Sequence, residues 1–178
     1  ILIRWVFGML SGLASGYAYA SERTMDYYHP YVKRERFECT IPAPVDTSRF
    51  DPSITLPPDE LLSDLEGKLV IGTVANPSPV KNLETFLRMA LKIQEQNTQT
   101  CAFVIVGKVY DSQLIFFKTL ESLAQQLGIS VYWAGPRKDV RPILRCFDVY
   151  VCSSKAESSP ISVWEAMSMA KPIVSTDV

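Results

Sequence analysis

The chain has 178 residues, 47% of them apolar in type and 21% charged, with 18 Lys plus Arg against 19 Asp plus Glu. This composition excludes a disordered chain, and a chain of this length buries about 70% of its unfolded surface in a core. A net charge of −1 gives no global cationic field for a nucleic-acid backbone or an anionic membrane, so no nucleic-acid partner is expected.

Residues 1–20 hold one charge, Arg4, and read as a buried helix over 2–13 followed by a short strand at 17–20. Ala18-Tyr19-Ala20 before Ser21 imitates a signal-peptidase site, so export or a membrane span is the competing reading. Gly8, Gly12 and Gly16 weaken a continuous apolar helix and argue against it. Trp5, Phe7, Met9 and Leu10 form an apolar face that a complete domain would cover, and left uncovered it is expected to self-associate. A helix near 22–33 and a strand near 37–41 follow.

Pro42, Pro44, Pro52, Pro57 and Pro58 then crowd into a stretch read as a linker over 41–67. From Leu69 onward short β-branched runs alternate with amphipathic stretches. Residues 69–74, 102–106, 130–133, 149–152 and 172–175 read as strands, several continuously apolar as parallel strands covered on both faces are. Leu83, Phe86, Leu87, Ala90 and Leu91 share one helical face, as do Phe116, Leu120, Leu123, Ala124 and Leu127, with Gly128 as the stop. Strand and helix in alternation with short connections predict an α/β fold, a doubly wound parallel sheet.

Such sheets bind ligands beyond the carboxyl ends of their strands, so three loops matter. In Asn76-Pro77-Ser78-Pro79-Val80-Lys81-Asn82, Ser78 and Pro79 read as N-cap and first helical residue, which places Lys81 in the first turn. A cation there opposes the helix dipole and suggests an anion in front of it; the alternative is a solvated lysine. In Ser153-Ser154-Lys155-Ala156-Glu157-Ser158-Ser159-Pro160, Ser159 reads as a cap, leaving the amides of Ile161, Ser162 and Val163 for a phosphate. Glu157 and Glu165 flank that helix end and suit hydroxyl hydrogen bonds, with two solvated glutamates as the alternative. Ala134-Gly135-Pro136-Arg137-Lys138-Asp139 joins a turn to a cap at Asp139, and its backbone could line a base pocket.

The cysteines, Cys39, Cys101, Cys146 and Cys152, form no C-x-x-C pair, and His29 is the single histidine, so no metal site is expected. The thiols read as small core hydrophobes in a reducing compartment, which agrees with a cytoplasmic location.

The region from Leu69 to Val178 resembles the C-terminal, donor-binding half of a family 4 (group 1) glycosyltransferase of the two-domain GT-B type. The residues carrying the resemblance are Lys81-Asn82, Val104-Ile105-Val106-Gly107, Ala134-Gly135 with Asp139-Val140, Cys146-Phe147-Asp148-Val149, and Lys171 to Thr176. The most specific is Glu157 with Glu165, which reproduces an E-x7-E motif. Ile41 to Phe50 resembles the segment that joins the two domains in this family. On this resemblance residues 1–40 are a remnant of the N-terminal acceptor domain, 41–67 a linker, and 68–178 a truncated donor domain with a Rossmann-like sheet.

The resemblance implies a retaining, metal-independent transfer from a nucleotide-diphosphate sugar, UDP- or GDP-linked, without a cofactor and to a glycan, lipid or small-molecule acceptor that the sequence does not name. It implies Lys81 on the diphosphate, Glu157 on the donor sugar and Glu165 on the ribose, with backbone amides of Ile161 and Ser162 completing the cradle. Asn76, Gly107, Gly135 and Pro136 complete the expected donor-binding set. It also implies that the parent transfers a hexose in glycan biosynthesis, with peripheral membrane association, and that this piece alone is inactive. The chain departs from the family where an arginine commonly precedes the lysine by five residues, here Asn76, and where glycine and an aromatic commonly follow the first glutamate, here Ser158 and Ser159. A binding module without turnover and a GT-B nucleotide-sugar epimerase are the competing readings.

Overall fold

The computed structural model describes residues 2–32, 36–53, 65–96 and 99–178. The chain divides into two compact units: Ile1–Pro44 with Glu157–Ile161, and Val45–Ala156 with Ser162–Val178. Of the linker expected over 41–67, residues 54–64 lie outside the described residues.

In the first unit helix α1 (Leu2–Leu10) ends in a 3-10 turn, Ser11–Leu13, and leads to strand β1 (Gly16–Tyr19). Helix α2 (Glu22–Tyr28) starts where the Ser21 hydroxyl accepts the Thr24 amide at 3.2 Å, and strand β2 (Phe37–Thr40) pairs parallel with β1. Phe7, expected on the self-associating face, instead packs in tilted contacts against Tyr28 and Tyr17, with ring centroids 4.8 and 5.4 Å away. Leu2, Ile3, Trp5, Met9 and Leu10 remain exposed. Among the described residues no helix is long and apolar enough to cross a membrane.

The second unit is a doubly wound α/β layer structure, as the alternating pattern predicts. Its strands are β3 (Leu69–Val74), β4 (Cys101–Val106), β5 (Val131–Gly135), β6 (Val149–Cys152) and β7 (Ile173–Ser175). They run parallel in the order β5-β4-β3-β6-β7. Helices α3 (Leu83–Gln96), α4 (Leu114–Gln126), α5 (Arg141–Cys146) and α6 (Ile161–Ser168) connect them.

The period-2 alternation of the strands feeds two separate cores. Ile71, Phe103, Ile105 and Val151 pack with Leu83, Phe86, Leu87 and Ala90 of α3 and Leu120 and Ala124 of α4. Val70, Val104, Val106 and Tyr150 pack instead with Ile143 and Leu144 of α5 and Val163 and Ala166 of α6. Phe50 is buried in this second core, so part of the Pro-rich segment contributes packing there.

Two residues fix how β3 meets β6. A Cβ on Gly72 would lie 2.2 Å from the Phe147 ring, so glycine is the residue that lets this ring lie against the strand. Asp148 extends the ladder, its amide donating to the Val70 carbonyl at 2.8 Å and its carboxylate accepting the Val70 amide at 2.8 Å.

The start of α3 differs from expectation. Ser78 accepts the Lys81 and Asn82 amides through its carbonyl and closes a separate turn, and Asn82 then takes a left-handed φ of 50°. A left-handed residue cannot continue a right-handed helix, so α3 begins at Leu83 and Lys81 lies in the turn before it.

Candidate functional site

The strand order reverses between β3 and β6, and the loops leaving their carboxyl ends meet at that switch point, the place where open parallel sheets bind ligands. Two bonds tie these loops together. The Ser153 hydroxyl donates to the Lys81 carbonyl at 2.9 Å, and the Lys155 amide donates to the Val80 carbonyl at 2.8 Å. Beneath them the Tyr150 hydroxyl lies 2.9 Å from the Ser162 hydroxyl and 3.4 Å from the Val74 carbonyl, joining β6 to α6 and to the end of β3. Burial pushes the Tyr150 pKa up to about 12 against the opposing effect of the Ser162 bond, so the phenol is neutral at physiological pH.

The β4 and β5 loops join the same edge. The Asn76 carboxamide oxygen accepts the Lys108 amide at 2.7 Å, and the Gly107 amide donates to the Gly135 carbonyl at 3.1 Å. Gly107 has no room for a side chain, because a Cβ would lie 2.2 Å from the Ala75 carbonyl oxygen. Gly135 takes a φ of 67° at the end of β5, which turns the chain into exposed Pro136.

Glu165 is half-buried on α6, and burial raises its carboxyl above the usual carboxylate range while the Arg49 charge pulls it down and Asp139 pushes it up. Asp139 is drawn the other way. It accepts the Arg141 guanidinium through both oxygens, including Nε to Oδ1 at 2.8 Å, which lowers its carboxyl. It also accepts the Arg141 amide at 3.0 Å, while α5 starts one residue later than a cap at Asp139 requires. Arg141 reaches on to the Arg49 carbonyl at 3.3 Å, and the Ser168 hydroxyl holds the Phe50 carbonyl at 2.5 Å. Residues 49 and 50 are thereby held beside α5 and α6.

Asn76, Lys81, Gly107, Gly135, Pro136, Ser162 and Glu165 of the expected set thus belong to the second unit, and Glu157 and Ile161 belong to the first. Within that first unit the Ser158 hydroxyl accepts from Thr24 at 3.2 Å and the Ser159 hydroxyl accepts the Ala43 amide at 2.8 Å. Tyr150, Ser153 and Arg49 are the residues that the sequence reading missed. Tyr150 had one signal, a polar tip in an otherwise apolar strand that ends at the switch point. Among the described residues no three His, Cys, Asp or Glu side chains are grouped to hold a metal ion.

A family model described as Glycosyl transferases group 1 matches residues 68–178. The chain is 27% identical over 148 residues to "Putative glycosyltransferase EpsF" of Bacillus subtilis (strain 168), an alignment covering 82% of this chain and 37% of the relative. Among solved structures, Anabaena Alr3699/HepE in complex with UDP and glucose superposes with a TM-score of 0.82 at 20% identity, over 99% of this chain and 48% of that one. The C-terminal domain of the group 1 glycosyl transferase LpcC from Francisella tularensis superposes with a TM-score of 0.62 at 24% identity, over 74% of this chain and 70% of that one. The chain therefore spans less than half the length of EpsF and of HepE.

Proposed function

We propose, from the premise that this chain belongs to the group 1 glycosyl transferases, that it is the donor-binding part of a retaining glycosyltransferase that uses a nucleotide-diphosphate sugar. The observation that carries this reading is the β3–β6 switch point, whose two loops are bonded to each other at Lys81 and Val80. At that edge Lys81 and the Ser162 amide serve the diphosphate, Glu165 takes the ribose hydroxyls and the Gly135-Pro136 turn borders the base; Glu157, in the first unit, is the residue assigned to the donor sugar.

Charge accumulates on the diphosphate as the glycosidic bond breaks, and donors already held in place by the fold lower that barrier without reorganising. The two glutamates then act as hydroxyl acceptors rather than as an acid/base pair, and no metal takes part. A hexose is the transferred group and a glycan, a lipid or a small molecule the acceptor, handled on the cytoplasmic side with peripheral membrane contact of the whole protein. HepE, solved with UDP and with UDP-glucose, makes UDP-glucose the first donor to try.

A thermal-shift panel of UDP-, GDP- and ADP-sugars in the presence of a chelator tests the reading. One nucleotide series is expected to raise the melting temperature in chelator; no shift from any of them would overturn it. The anomeric configuration of the product formed by the whole enzyme, read by NMR, tests retention.

A further inference from the structure

Resting on the donor-site reading above, we propose that Lys108 is a second cation on the donor's diphosphate and that Asn76 is the residue that positions it. A diphosphate diester carries two negative charges and gains a third as the sugar leaves, more than the single ammonium of Lys81 neutralises.

The loop after β4 is fixed at three adjoining points along the carboxyl edge. The Ala75 amide donates to the Val106 carbonyl at 2.7 Å, one residue beyond the end of β3. The Asn76 Oδ1 accepts the Lys108 amide at 2.7 Å. The Gly107 amide donates to the Gly135 carbonyl at 3.1 Å, and the missing Gly107 side chain allows the Ala75 carbonyl to approach. Lys108 is therefore the first side chain beyond these ties, and its main chain is anchored to the loop that also carries Lys81.

Its charge is available. Lys108 is exposed, no carboxylate pairs with it among the described residues, and its Nζ stands 4.8 Å from the centroid of the Tyr110 ring. A ring face orients an ammonium without cancelling its charge. The acceptor at position 76 is what this arrangement requires, because a guanidinium has donors only and could not take the Lys108 amide. Asn76 thus acts through Lys108, as a positioning residue.

The test is calorimetric titration of the full 178-residue chain with UDP and with uridine, for wild type, Lys81→Gln, Lys108→Gln, Asn76→Ala, the Asn76→Ala/Lys108→Gln pair and Lys118→Gln as a surface-charge control. Lys108→Gln is expected to weaken UDP about fivefold or more while leaving uridine unchanged, as loss of a charge-assisted contact to phosphate does. Asn76→Ala is expected to weaken UDP as well, and adding Lys108→Gln to it is expected to cost nothing further, because the unanchored lysine no longer contributes. Unaltered UDP binding in Lys108→Gln, or the same loss in the Lys118→Gln control, overturns the cation. Fully additive losses overturn the positioning role of Asn76. If Lys81→Gln loses UDP and Lys108→Gln does not, the donor-site reading stands and this proposal alone falls. A wild-type chain that binds no UDP removes both.

Discussion

The Ser153 hydroxyl, on a side chain only 4% exposed, donates to the main-chain carbonyl of Lys81. One hydrogen bond thus joins the first residue after β6 to the turn that carries the candidate diphosphate cation. Ser153→Ala leaves that carbonyl without this donor and is expected to cost about 1–3 kcal/mol of stability. Urea unfolding followed by circular dichroism measures it, and the same variant should bind UDP more weakly because the Lys81 turn is no longer held. An unchanged unfolding midpoint would show that water replaces the serine.

Gly72→Ala forces a methyl into the Phe147 ring, against a separation of 2.2 Å. Overpacking of this kind costs about 1–3 kcal/mol, and here it falls on the β3–β6 pair. Adding Phe147→Leu should recover part of the loss, since leucine lacks the ring atoms that the new methyl meets. Denaturant midpoints of the two variants give the answer, and a Gly72→Ala protein as stable as wild type would contradict the packing.

Tyr150 gives a prediction in alkali. Its folded pKa of about 12 stands above the ordinary 10.0, so the neutral phenol contributes stability that is complete below pH 10 and is lost as pH rises toward 12. Tyr19, also pushed up to about 12 by burial and by its bond to Glu38, adds a slope of the same sign. Tyr150→Phe is therefore expected to flatten the fall in stability between pH 10 and pH 12 without abolishing it. Chemical denaturation at pH 9 and pH 11 tests this, and an unchanged slope in Tyr150→Phe would refute it.

Glu165 combines a stability cost with the binding role proposed for it. Because burial raises its folded carboxyl, its contribution to stability is present below the ordinary carboxylate range and is lost as pH rises through the folded value. Glu165→Gln should therefore stabilise the ligand-free protein slightly at pH 7, by less than about 1 kcal/mol because the group is partly exposed. It should also weaken nucleotide binding about tenfold if the carboxylate accepts ribose hydroxyls. Melting temperatures at pH 4 and pH 7, with and without UDP, separate the two effects; a variant destabilised at pH 7 would contradict the sign.

The exposed face of α1 predicts self-association of this 178-residue chain. Trp5 is 63% exposed and Met9 52%, while Phe7 is taken up by Tyr17 and Tyr28. Light scattering should detect a dimer or larger species, and Trp5→Ser with Met9→Ser should shift it toward monomer. A monomeric wild-type chain at all concentrations would refute the prediction.

The strands and the two long helices were legible because their apolar residues recur at periods of 2 and 3.6, and both cores use those residues. The turn before α3 was not legible: Ser78-Pro79 reads as a helix start, and only the left-handed Asn82 separates the turn from the helix. Lys81 and Glu165 could be singled out from their spacing, whereas the partners that hold the site could not. Asn76 meets Lys108 across 32 positions and Ser153 meets Lys81 across 72, and no local pattern encodes such pairs. Arg49 was likewise hidden, since its link to Arg141 joins a Pro-rich segment to a helix start 92 positions away.

The strand order also dictates when the second edge of β3 is filled. β3 finds β4 across a short connection, pairing Leu69 with Cys101, but Ile71 waits for Val149 before its other edge is filled. During synthesis β3, β4 and β5, three of the five strands, can assemble while β6 is still being made, with one edge of β3 open to solvent or to a second nascent chain. The reciprocal bonds between Asp148 and Val70 become possible only when the chain reaches β6, and they hold the register of this edge. A nucleotide engaging both bordering loops, as proposed, would therefore bind only chains that have completed the β3–β6 pairing and would favour them over half-assembled ones.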